Sequence, residues 1–341
     1  MPNERSRQFL NLTTDELKSA LIENAYRKDD ESRRWFSRFK FASDAVNGNP
    51  HIALGQGLDL LNTCRALDEN AYKEIHKGGA FYWLGIASFL VNEYEMATFF
   101  FDSSVSEDLR WGDDPILNPS PAMRFMRIDS DHPHQAARSL VEVTQKGIER
   151  WIEVYNSRPD NSTKITTQAL RERLFIPSIY PEHKNWRSLT SAFISFCLEW
   201  DYRNLLFDIR INPGTYEPYF VHLFKGCLLF ESLVKENPVR KPPREQNTLS
   251  KVLTHLHKLL EIKPNLDFKD KQFSDVLDEL DKSDETIEQS ILLTGMTRNT
   301  LGHNIGWEVE LTKNQYQRLF QMISSSCIHA VSKLYEIAEG K

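Results

Sequence analysis

Apolar residues recur three and four positions apart along most of the chain, while period-two alternation is scarce, so the pattern predicts helices nearly throughout. Thr14 to Tyr26 carries Leu17, Leu21, Ile22 and Ala25 at helical spacing behind Asp15 and Glu16, and a basic, aromatic stretch follows through Trp35, Phe36, Phe39 and Phe41. Asn47-Gly48-Asn49-Pro50 predicts a turn, and one long helix is expected from Ile52 to His76, stopped at Gly78-Gly79. Two more helices follow, broken at Asn92-Glu93. Residues 111–133, rich in Pro, Asp and Asn, read as a long ordered loop. Helical periodicity resumes over Gln135–Asn156, Thr167–Phe175 and Leu189–Phe207. Ile211-Asn212-Pro213-Gly214 then predicts a boundary near 212, dividing a domain 1–212 from a domain 213–341. Beyond it lie four apolar stretches, Tyr219–Glu236, Thr248–Ile262, Phe273–Leu301 and Lys313–Ala338, the element count of a four-helix bundle. The expected fold class is all-α.

Composition narrows the function classes. The 341 residues carry 42 Lys and Arg against 48 Asp and Glu, a net charge of −6, so no molecule-wide positive field holds nucleic acid and any polyanion site is local. Four separated cysteines, with no C-x-x-C pair, argue against a zinc ribbon or disulfide framework and for a reducing, cytoplasmic setting. The N-terminal residues lack a signal-peptide core, and no apolar run reaches the roughly 18 residues of a membrane span, so no membrane association is expected. Walker A, G-x-G-x-x-G, G-x-S-x-G and H-E-x-x-H sequences are all missing, and no cofactor or metal is expected.

In the N-terminal half, Phe81, Leu84-Gly85, Ala97, Phe101 and Ser104 resemble one tetratricopeptide unit, with Ser88 in place of its Tyr and no Pro near Leu109. No second copy lies at the repeat's offset of about 34 residues, so a plain helical hairpin crossing closely at Gly85 and Ala97 is the competing expectation.

In the C-terminal half, Leu292 to Asn304 contains Arg298-Asn299 followed by His303. The R-x4-H spacing, a polar residue directly after the Arg and the surrounding helices resemble the HEPN superfamily over residues 216 to 341. On an uninterrupted helix, five steps of about 100° leave Arg298 and His303 roughly 140° apart, so Gly302 is expected at a left-handed C′ position that turns His303 away from the helix. The resemblance implies a homodimer lining one cleft with two copies of the motif, and a metal-independent endoribonuclease leaving a 2′,3′-cyclic phosphate. In that reading His303 is general acid or base, Arg298 stabilises charge on the phosphate and Asn299 supports them. A role in antiviral defence or as a regulated toxin is what the resemblance suggests, the N-terminal domain sensing a signal, recruiting a partner or positioning RNA. The subclass with a Tyr two residues after the His is not matched, since Ile305 stands there. The alternative function is a non-catalytic helical scaffold that binds protein and dimerises through an inactive bundle, with Arg298 and His303 as ordinary helix-terminal side chains.

Other groupings invite chemistry less specifically. Asp129, Asp131, His132 and His134 have ligand-type side chains, but within a loop broken by Pro133. His255-x-His257 falls on a helix where residues two apart diverge. Trp200 to Asn204 repeats the Arg-Asn pair without a following His. The segment Arg33 to Lys40 has the makings of a single-strand nucleic-acid face or of an amphipathic helix with buried aromatics.

Overall fold

A computed structural model describes residues 12–36, 39–132, 134–209, 215–241, 248–264, 266, 268, 272–303 and 310–335. Every regular element among them is helical, and no strand occurs among them. The chain forms two compact units, Met1–Glu142 and Val143–Lys341, and the division falls within one helix, Gln135–Asn156.

The first unit holds helices α1 (Thr14–Ala25), α2 (Asp30–Arg33), α3 (Lys40–Val46), α4 (Pro50–Leu67), α5 (Glu69–Glu74), α6 (Gly78–Leu90), α7 (Tyr94–Arg110) and α8 (Pro121–Met126). A capping box starts α1: Thr13 accepts from the Glu16 amide, and Glu16 accepts from the Thr13 amide at 2.6 Å. The helix expected from Ile52 to His76 is two helices. Asp68 takes an extended backbone (φ −157°) and caps α5 by accepting from the Ala71 amide, which interrupts the helical hydrogen-bond ladder. The loop expected over 111–133 contains α8, because Ser120 caps its start and Pro121 sits at the first helical position, where a missing N–H costs nothing. The aromatics near Arg33 are core: Trp35 and Phe36 are buried and meet edge to face at 4.8 Å. Residues 37–38 lie outside the described residues.

Helices α6 and α7 form a hairpin turned at Asn92, whose φ is +64°. A Cβ on Gly85 would come within 2.8 Å of Phe101 Cε1, so the close crossing requires glycine there. Ala97, Phe101 and Ser104 are buried, as that crossing demands, and Ser104 donates to the Gly78 carbonyl at 2.8 Å.

The second unit takes the remainder of α9 (Gln135–Asn156), a short helical stretch over 167–178 that includes a π-turn at Arg171–Phe175, then α10 (Lys184–Ile209), α11 (Glu217–Lys235), α12 (Leu249–Leu256), α13 (Phe273–Asp281), α14 (Ile287–His303) and α15 (Lys313–Leu334). The boundary expected near 212 falls in 210–214, outside the described residues, and α10 and α11 on either side of it pack against each other within this unit. Aromatic stacking explains the association. Phe320 of α15 meets Trp151 at 4.6 Å, Phe196 at 4.6 Å and Trp200 at 4.5 Å, so α9 and α10 share the core of the helices that follow. The stretch expected from Phe273 to Leu301 is likewise two helices. Glu285 adopts φ +58°, and Asp160 accepts from the Ile287 amide at 2.7 Å to cap the restart.

Two histidines are buried here in the same arrangement. His222 accepts the Tyr316 hydroxyl at Nδ1 (2.7 Å) and donates from Nε2 to the Phe196 carbonyl (2.9 Å); His329 does the same with Tyr155 (3.1 Å) and the Leu260 carbonyl (2.8 Å). Burial holds both below the ordinary histidine value, well below it for His222, where the Arg203 charge adds to the effect. The unfolded chain then binds protons that the folded chain refuses. Their stabilisation is complete above about pH 6.5 and is lost as pH falls below it, at up to about 1.4 kcal/mol per pH unit for each histidine. Urea midpoints are therefore expected to drop between pH 7.5 and 5.5, and a flat profile would show that these rings are not neutral in the native state.

All four cysteines are free thiols and buried, and burial pushes Cys64 up to about 12. Among the described residues no helix is long and apolar enough to cross a membrane.

Candidate functional site

The R-x4-H motif lies at the C-terminal end of α14, packed against α11, α13 and α15. The helix continues through Gly302 to His303, so the expected left-handed turn at Gly302 is replaced by helix. Nothing forces the turn, because a helical Gly302 has Phe224 of α11 at ordinary contact distance, 3.5 Å from where its Cβ would be. On that continuous backbone positions 298 and 303 are about 140° apart around the axis. The His303 side chain and Ile305 lie outside what the structure describes.

Arg298 is anchored from below. Its Nε donates to Glu231 Oε2 at 2.6 Å and its second edge nitrogen to Oε1 at 3.4 Å, the two-pronged geometry that a guanidinium fork favours. Glu231 is almost fully buried on α11 and also receives Lys235, one turn on, at 2.6 Å. Burial pushes the Glu231 carboxyl up, but hydrogen bonds from Lys235 and Arg298 and their charges outweigh it, holding it below the ordinary carboxylate value. The remaining edge of Arg298 faces Asn299 Oδ1 at 3.4 Å, and the side chain keeps 28% of its exposure. The guanidinium is thus oriented by one carboxylate and still reachable from solvent.

The Asn299 amide donates to the Phe268 carbonyl at 3.1 Å, while its oxygen faces Arg298. One turn earlier, Gly295 leaves room for the Phe268 ring, whose Cε1 would lie 2.5 Å from an added Cβ. Gly295 and Asn299 together pin this segment to α14. Glu231 was legible in principle, as an acid directly after the apolar run Cys227 to Phe230 with a Lys four residues on.

Exchanging Glu231 for Gln is expected to destabilise the protein by about 2 kcal/mol, because two cations lose the carboxylate they share in a mostly buried site. The group's folded value is depressed, so its contribution is present above about pH 4.5 and lost as pH falls through that lower value. Equal stability of wild type and variant at pH 7 would mean the ion pairs contribute nothing.

The other groupings are structural. His132 donates from Nε2 to the Pro121 carbonyl at 2.9 Å and accepts the His134 amide at Nδ1, so both ring nitrogens are taken, while Asp129 pairs with Arg127 at 3.3 Å. Among the described residues no group of three or more His, Cys, Asp or Glu is arranged to hold a metal ion. His257 donates to the Thr254 carbonyl at 2.7 Å, within its own turn. Trp200 stacks on Tyr316, Arg203 is held by Glu199 and Asn204 accepts from Gln317, so the second Arg-Asn pair is helix packing.

Comparison with protein-family models, with curated proteins and with solved structures finds no match for this chain.

Proposed function

We propose that the protein is a metal-independent endoribonuclease of HEPN type, acting as a homodimer. The observation that carries the reading is the preset guanidinium: Arg298 sits on the motif helix, oriented by a buried carboxylate and still 28% exposed, which suits it to a phosphate whose charge grows during in-line attack. In the proposed reaction His303 takes the proton of a ribose 2′-OH or delivers one to the departing 5′-oxygen. The 2′-oxygen bonds to phosphorus, the P–O5′ bond breaks, and a 2′,3′-cyclic phosphate and a 5′-hydroxyl result. Motif positions 298 and 303, about 140° apart around the helix, suit a site shared between copies. An exposed apolar stripe supports such a partner face, since Val221 and Leu228 are 48% and 40% exposed and flank Phe224, the neighbour of Gly302. A cytoplasmic role in defence or as a regulated toxin accords with this chemistry.

The scaffold reading has its own support. Glu231 occupies one edge of Arg298 and Phe268 occupies Asn299, which are the bonds of residues that hold a bundle together. Incubating the purified protein with labelled single-stranded and transfer RNA in EDTA decides between them. Product ends bearing a cyclic phosphate are expected; intact RNA at micromolar protein, alongside a stable dimer, would favour the scaffold.

A further inference from the structure

The first unit contains an open cleft of about 790 Å³, the volume of a small-ligand site, between the start of α6 and the segment leading into and through α8. It is separate in sequence from every residue of the R-x4-H motif.

One wall is planar and neutral. Trp83 lies over the His134 ring at 5.9 Å with an interplanar angle of 13°, and the Tyr82 hydroxyl sits 3.0 Å from His134 Nδ1. Burial holds His134 below its ordinary value and raises Tyr82, so a neutral imidazole and a neutral phenol share this hydrogen bond. A ring-bearing wall with polar imidazole nitrogens suits the face and edge of a heterocyclic base.

The charged groups divide unequally. Asp108 and Asp113 are already engaged: His76 Nε2 lies 2.9 Å from Asp108, and Arg33 pairs with Asp113 while approaching Asp108 at 3.9 Å. Asp30 and Arg34 also line the cleft, and among the described residues no carboxylate pairs with Arg124. Its guanidinium is held by two main-chain carbonyls, Pro119 at 3.3 Å and Asp131 at 2.9 Å, which fix its orientation without neutralising it. The cleft therefore offers a ring-bearing wall together with an arginine fixed by main-chain carbonyls.

We infer that this cleft binds a mononucleotide, its base on the Trp83–His134 wall and its phosphate on Arg124. The phosphate supplies an oxygen pair that a guanidinium reads, and the base supplies a ring to stack on that wall.

Calorimetric titration of the full chain tests this with adenosine 5′-monophosphate, adenosine, inorganic phosphate and 4-hydroxybenzoate as probes. Saturable one-to-one binding of the monophosphate is expected, with the other three at least tenfold weaker. Trp83→Leu and Arg124→Gln should each weaken it about tenfold or more, whereas Trp83→Phe, which keeps a ring, should stay within about threefold. Thermal unfolding of each variant separates loss of binding from loss of fold, and the Trp83→Phe comparison still decides if Arg124→Gln fails to fold. No binding at millimolar monophosphate, binding of phosphate or hydroxybenzoate as tight as the nucleotide, or affinity lost in His303→Ala but kept in both cleft variants would each overturn the assignment.

Discussion

His303→Ala is expected to reduce RNA cleavage by at least a hundredfold while leaving the thermal midpoint and the dimer unchanged. A positioned general acid or base contributes roughly 10²–10⁴ in rate, and alanine, a strong helix former, removes that proton carrier while keeping the last turn of α14. Arg298→Ala should fall as far in rate, but it also leaves buried Glu231 with only one of its two cations, so its stability drops as well. That contrast makes His303 the cleaner probe. Unimpaired cleavage by His303→Ala would remove the residue from the chemistry and with it the proposed mechanism.

Phe320→Ala carries the largest expected structural effect. The ring is fully buried on α15 and touches Trp151, Phe196, Trp200 and His222, whose ring stacks on it at 5.4 Å, so truncation opens a cavity where α9, α10, α11 and α15 meet. Large-to-small changes at such sites cost about 3–5 kcal/mol, which for a unit of this size lowers the thermal midpoint by about 10 °C. Calorimetry should show the loss in the transition belonging to Val143–Lys341. A shift under about 2 °C would mean the aromatic cluster is not the core of that unit.

The helices were legible because their signal is local. Thr13 with Glu16 announces the start of α1, and Gly85, Ala97 and Phe101 announce the α6–α7 crossing, since small residues opposite large ones have one economical packing. Where one uninterrupted helix was expected but two formed, the information was also present but depended on context. Asp68 reads as a polar helix residue until its side chain is seen bonding the Ala71 amide, and the restart at Ile287 is capped by Asp160, 127 positions away in the chain. Ser120-Pro121 was a start signal passed over within a loop-like composition.

The sequence by itself determined the all-helical class, the positions of most helices and the R-x4-H candidate, because period, caps and motif spacing act over a few residues. Only the tertiary structure decided what those residues touch. It joined Arg298 to Glu231 across 67 positions, gave Asn299 the Phe268 carbonyl, kept Gly302 helical beside Phe224, and drew α9 and α10 into the second unit through Trp151, Trp200 and Phe320. Burial and ion pairing are properties of neighbours in space, and a single sequence shows only neighbours along the chain.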